Sequence, residues 1–223
     1  MIPLRDNIPH RRTPIVTFII LLANILVFFY EISLGRDLKF FIYNYGFVPS
    51  RVFFSVGVEN KIFPLFTSIF LHAGFWHLAG NCLYLWIFAD NVEDRLGHFN
   101  FLVFYIMCGV LANLTHLFFN WGSEVPAVGA SGAIAGVLGA YFLMFPRARV
   151  LTLIPFFFFW QMVEIPAFFF LGFWFLYQFL LGIGSLGFSS ATGIAFWAHI
   201  GGFIAGIFLL SLFIKRRGYY LTL

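Results

Sequence analysis

The run TPIVTFIILLANILVFFYEISL, residues 13–34, decides the class of fold. It is apolar almost throughout, with Asn24 a polar residue in its interior. At about 1.5 Å of rise per residue, a helix of this length crosses a hydrocarbon layer of roughly 30 Å. Arg5, Arg11 and Arg12 precede it as they would a signal peptide. The run is too long for a signal core and no small-residue cleavage site follows it, so it reads as a retained membrane helix. The rest of the chain agrees: 61% of residues are hydrophobic and 10% charged, against roughly 45–50% and 25% in soluble domains. Too little polar surface remains to cover a water-soluble globule, so lipid must be the solvent for much of the chain. The 35 phenylalanines suit a broad lipid-facing surface.

Five further apolar segments can be drawn, at about 64–90, 98–120, 131–145, 167–183 and 192–214. The stretch from Val150 to Pro166, broken by Pro155 and Glu164, reads as an aromatic, interfacial approach to the fifth span. Residues 35–63 mix Phe40, Phe41, Phe47, Phe53 and Phe54 with Lys39 and Arg51, as an interfacial loop would. No repeat or linker divides the chain, so a single membrane domain over 1–223 is expected. The fold expected is an all-α polytopic bundle of six membrane helices with a short fourth helix.

The net charge is +4 and the pI about 9.2. The cations flank apolar segments instead of lining a groove, which argues against a nucleic-acid partner. Six spans put both termini on one side, together with Arg5, Arg11, Arg12, Arg95, Arg147, Arg149, Lys215, Arg216 and Arg217. An excess of cations marks the cytoplasmic face, so both termini are expected there. Cys82 and Cys108 fall within apolar stretches and read as small hydrophobes.

Polar groups inside lipid are costly and point to function. Three groups stand out. Ser131, in Val128-Gly-Ala-Ser131-Gly132-Ala133, opens the short fourth helix, where free backbone N–H groups and the helix dipole favour negative charge. If Ser131 attacks a carbonyl, those donors, at Ser131 and Gly132, can receive the oxyanion. The alternative is an N-cap or a small packing residue. His199 lies within the sixth helix, beside Gly202 and Gly206, whose G-x-x-x-G spacing matches Gly132, Gly136 and Ala140 on the fourth. Such faces let helix backbones approach closely, which would bring Ser131 and His199 together as nucleophile and base. A neutral, hydrogen-bonded core histidine is the plainer reading of His199. No acidic residue is well placed to orient it. His77 and Asn81 share one helix face and suit an oxyanion as donors, whereas His72 lies about 140° away around the helix and reads as a tie to the first loop. Metal binding by His72, His77 and Asn81 is the rival, but no H-E-x-x-H spacing or extra carboxylate supports it. No metal and no cofactor are expected.

The segments His72-Ala-Gly-Phe-Trp-His77-Leu-Ala-Gly-Asn81, Gly129-Ala-Ser131-Gly132 and Ala198-His199-Ile-Gly-Gly202, in this order, resemble the rhomboid intramembrane serine proteases over nearly the whole chain. The resemblance implies that Ser131 is the nucleophile, His199 the general base, and Asn81, His77 and the Ser131 backbone N–H the oxyanion hole. It implies a framework role for Val92-Glu-Asp-Arg-Leu-Gly97, and a minimal bacterial member acting on transmembrane proteins from the outer side of the cell membrane. Some relatives carry an aromatic residue four positions after the serine, packed on the histidine; Ala135 stands here, so the support of the His199 ring is open. Phe168, Phe169, Phe170, Phe173 and Trp174 would form a substrate gate or simply face lipid. The rivals are a catalytically inactive, client-binding relative and a small transporter. The latter would bring intramembrane charge or broken helices in repeated halves.

Overall fold

The computed structural model describes residues 1–156, 159–185 and 195–214. The bundle is built from α1 (Ile15–Ser33), α5 (Phe75–Leu96), α6 (His98–Phe119), α7 (Ser131–Met144), α8 (Ala167–Ser185) and α9 (Phe196–Phe213). Among the described residues, α1, α6, α8 and α9 are each long and apolar enough to cross a membrane. The second expected span is broken. A helix α4 (Glu59–Thr67) and a 3-10 turn (Ser68–Phe70) meet α5 at 77°. The break at Leu71–Gly74 moves the helix from the expected 64–90 to Phe75–Leu96. It is stabilised from α1, where the buried carboxylate of Glu31 accepts the His72 N–H at 3.1 and 3.3 Å. His72 is thus tied to α1 through its backbone, not to the first loop. Residues 192–194 of the expected last span, and the cations Lys215, Arg216 and Arg217, lie outside the described residues.

The segment 35–63 also departs from a plain interfacial loop. It forms α2 (Leu38–Tyr45), α3 (Arg51–Phe54) and the start of α4. Phe40, Phe53 and Phe54 are exposed as expected, but Phe47 is buried and pairs its backbone with Ala127 ahead of α7.

Helix α7 is the axis of the molecule. Every residue from Gly132 to Tyr141 is buried, which a hydrophobic stripe on one face could not achieve; a helix apolar all round belongs in the centre. The α7–α9 contact is backbone on backbone. A Cβ on Gly202 would strike the carbonyl oxygen of Gly132, and one on Gly206 that of Gly136. Small residues replace bulk here because lipid offers no hydrophobic drive between helices, leaving close van der Waals packing as the attraction.

The segment Val92–Gly97 supplies the framework at the far end of α5. Glu93, 1% exposed, accepts the N–H groups of Val16 (2.9 Å) and Thr17 (2.7 Å), the Thr17 hydroxyl (2.7 Å), and the Nδ1 of His98 stands 2.5 Å away. A carboxylate from α5 thereby caps α1, whose first N–H groups have no partner within their own helix. Asp94 accepts the Arg12 N–H, the Arg95 guanidinium lies over the Phe145 ring, and Gly97 turns the chain into α6 with φ of 80°.

A small sheet, absent from the all-α expectation, closes the end of the bundle away from Ser131. Strands β1 (Ile2–Asp6), β2 (Arg149–Phe156) and β3 (Phe159–Pro166) run antiparallel in that order. The stretch expected as an interfacial approach is therefore a hairpin. Its exposed Phe159, Trp160 and Met162 keep the aromatic, apolar surface the sequence suggests.

Candidate active site

Ser131 is the first residue of α7 and His199 lies in the first turn of α9. The glycine-mediated contact of the two helices sets these starts side by side. Ser131 Oγ and His199 Nε2 are 2.8 Å apart, a hydrogen bond. Both residues are partly exposed, while Ala198, Ile200 and Gly201 around the histidine are buried. The start of α9 is held to α6 by Trp197, stacked on Phe119 with ring centroids 3.6 Å apart. A small cavity lined by His116, Asn120, Pro126, Ala127, Phe196 and Trp197 opens among the segments that lead into α7 and α9.

The approach to Ser131 needs a glycine. Gly129 has φ of 129°, a region L side chains rarely adopt. Its N–H donates to the Ser68 carbonyl at 2.9 Å. A Cβ there would lie 2.6 Å from His77 Nε2 and 3.5 Å from Ser131 Oγ, so the imidazole of His77 sits close to the Ser131 hydroxyl. The Ala73 N–H donates to His77 Nδ1 at 3.4 Å. That leaves the ring proton on Nε2, the atom beside Gly129 and Ser131. One helical turn further along α5, the buried Nδ2 of Asn81 has no hydrogen-bond partner among the described residues. A buried donor without an acceptor is costly, and an oxyanion formed beside it would relieve that cost.

His72 is not part of this grouping. Its ring stands edge-on to His77, centroids 5.3 Å apart, with both nitrogens buried and unpartnered among the described residues. Of the aromatic residues on α8, Phe168, Phe169 and Phe173 are exposed. Phe170, however, is turned inward on Phe88 and cannot line a gate.

Two residues of α8 approach His199: Gln178, which no motif in the sequence marks, and Trp174, one of the aromatic residues expected as a gate or a lipid-facing surface. Gln178, in α8 and 9% exposed, brings its Oε1 to 2.8 Å from His199 Nδ1. Trp174, one turn before it, sets its ring 6.0 Å from the imidazole, centroid to centroid. Together they occupy the surroundings of a ring that Ala135 cannot reach as an aromatic would. As the acceptor opposite Nδ1, an amide costs far less in lipid than a carboxylate would.

The model of the rhomboid domain family matches residues 59–216. Rhomboid protein 1, mitochondrial, of Saccharomyces cerevisiae is 36% identical over 101 residues, 44% of this chain and 29% of that protein. YdcA of Bacillus subtilis is 34% identical over 140 residues, 60% of this chain and 64% of its own length. The rhomboid protease GluP of the same organism is 34% identical over 128 residues, 57% of this chain and 24% of GluP. The match spans less than two thirds of each of these relatives. With the family model covering most of the chain and its three polar groups gathered at one end of the bundle, this protein belongs to the rhomboid family.

Proposed function

We propose that the chain is an intramembrane serine endopeptidase working through a Ser131–His199 dyad. The observation that carries the reading is the 2.8 Å contact between Ser131 Oγ and His199 Nε2 at the N-terminus of a buried helix. His199 takes the hydroxyl proton as the oxygen attacks a peptide carbonyl. The developing oxyanion is received by the backbone N–H groups at Ser131 and Gly132, by Asn81 Nδ2 and by His77 Nε2. His199 then returns the proton to the leaving amine, and water hydrolyses the acyl-enzyme by the same route. Gly129, Gly136, Gly202 and Gly206 hold the two helix starts in register.

The substrates proposed are transmembrane segments of other proteins. A helix hides its carbonyls in its own hydrogen bonds, so small or helix-weakening residues near the cut favour the unwinding that exposes one. The protein is placed as one domain in a bacterial plasma membrane, with both termini cytoplasmic and the dyad opening outward. The cations at Arg5, Arg11, Arg12, Arg95, Arg147 and Arg149 support that orientation.

Cleavage of a model transmembrane substrate in proteoliposomes tests the reading. Wild type is expected to cut, with Ser131→Ala and His199→Ala both slower by a factor on the order of a thousand or more. Variants that cut as fast as wild type would place the chemistry elsewhere. A silent wild type, across several substrates, would favour a client-binding protein.

A further inference from the structure

We propose that Gln178 is a positioning residue of the dyad, its side-chain carbonyl keeping the proton on His199 Nδ1 so that the Nε2 lone pair faces Ser131. The inference rests on the protease reading given above.

A neutral imidazole carries its proton on either nitrogen, and only one tautomer is useful here. For Ser131 to lose its proton to His199, Nε2 must be unprotonated, which places the hydrogen on Nδ1. Within the bundle such an N–H needs an acceptor, because an unpaired donor in a lipid-bounded interior has no water to turn to. The partner of Nδ1 is Oε1 of Gln178 at 2.8 Å. With that oxygen accepting, the tautomer and the ring orientation are set together, and the imidazolium formed during attack keeps its Nδ1–H bonded to the amide dipole. The amide is neutral and does not take the proton. The reverse arrangement, with the Gln178 NH₂ donating to Nδ1, would put the proton on Nε2 and leave Ser131 without a base.

The element that carries Gln178 adds a consequence. Of the four long apolar helices among the described residues, α8 is the least buried, at 28% against 39–56% for the others. It is held to α9 by apolar contacts, Trp174 and Phe175 on Phe203 and Gly182 near Trp197 and Ile200. The base is therefore oriented only while α8 is docked, and displacement of α8 disables His199 without touching Ser131.

The test compares kcat, KM and thermal unfolding of wild type, Gln178→Met, Gln178→Glu, Gln178→Lys and Ser131→Ala on the same transmembrane substrate in proteoliposomes. Methionine keeps the volume and removes the acceptor, glutamate keeps the acceptor, and lysine can only donate. The expected result is a kcat lowered about tenfold or more in Gln178→Met. KM and melting temperature should be unchanged, Gln178→Glu should retain most of the activity, and Gln178→Lys should be as slow as Gln178→Met. A Gln178→Met variant that turns over like wild type overturns the proposal. So does a Gln178→Glu variant as impaired as Gln178→Met, or a loss of activity that follows only a lower melting temperature. If wild type cuts, Ser131→Ala does not, and Gln178→Met equals wild type, the role of Gln178 fails while the dyad stands. If Ser131→Ala cuts like wild type, or wild type is silent, both fall.

Discussion

At Gly206 the backbone of α9 lies directly against the backbone of α7. An added Cβ would overlap the carbonyl oxygen of Gly136 and come within 2.6 and 2.7 Å of its carbonyl carbon and Cα. These neighbours are main chain, so only separation of the two helices makes room. Gly206→Ala is expected to cost about 3 kcal/mol, the upper part of the usual range for overpacking. It should also widen the Ser131–His199 contact, cutting activity more than stability alone explains. Gly80 is the control: it is an exposed helical glycine of α5 with no atom within 4 Å of an added Cβ. Gly80→Ala is expected to be neutral or to stabilise by about 0.5–1 kcal/mol. Thermal unfolding of both variants in detergent, beside the cleavage assay, measures the contrast; equal melting temperatures would mean that the α7–α9 contact is looser than described. This is the scale at which the sequence was most readable. Ser131 and His199 are polar residues in apolar helices flanked by glycines at matching spacing, and each of those features has a local cause. Gln178 has none. It is a glutamine in an apolar run, 21 residues before the histidine on another helix, and only the packing of α8 on α9 gives it a partner.

Among the elements, α1 depends on a group it does not contain. Its N-terminus follows Pro14 and has no side-chain cap of its own. Glu93 of α5 instead takes the N–H groups of Val16 and Thr17 and the Thr17 hydroxyl. Glu93→Ala strands these donors in a buried site and is expected to destabilise by about 3 kcal/mol. Glu93→Gln keeps an acceptor oxygen and should lie between that variant and wild type. Thermal unfolding ranks the three, and an alanine variant as stable as wild type would show that water or rearrangement satisfies α1. The segment Val92–Gly97 was legible as framework, though not what it frames, because the partners of Glu93 lie 76 and 77 residues away. The hairpin β2–β3 was less legible still. Its residues are nearly all apolar and lack the strict alternation of a half-buried strand, so in a chain full of membrane helices they read as an approach to one. Pro155 and Pro166 sit inside or at the end of these strands, positions that also blur a strand signal.

The whole molecule is closed at the end opposite Ser131 by its N-terminus, which the sequence marked only as a basic flank. Strand β1 pairs with β2, whose partner residues stand about 150 positions later, so nothing local announces it. Asp6, the last residue of β1, accepts the Tyr141 hydroxyl from α7 and the Asn91 amide from α5 at 2.8 Å. One carboxyl thus joins the terminal strand to the far ends of two helices whose other ends carry Ser131 and the donors His77 and Asn81. Burial pushes its pKa up to about 6 from the usual 3.8, with Asp90 adding repulsion and the Tyr141 hydrogen bond opposing the rise. In the unfolded chain Asp6 releases its proton near 3.8, whereas the folded protein holds it to about 6. The folded state therefore binds more protons between those values, and linkage makes this group's contribution greatest below about pH 4, declining as pH rises through about 6. Asp6→Asn keeps an acceptor oxygen and cannot titrate. Melting temperatures of wild type and Asp6→Asn, measured together from about pH 4 to pH 8, cancel the titration of groups that do not interact with Asp6. Wild type is expected to lose ground to the variant between about pH 4 and 6 and to keep a constant deficit above that. A difference that stays flat over the whole range would mean that Asp6 keeps an ordinary carboxyl pKa, and that the clamp at this end of the bundle is insensitive to pH.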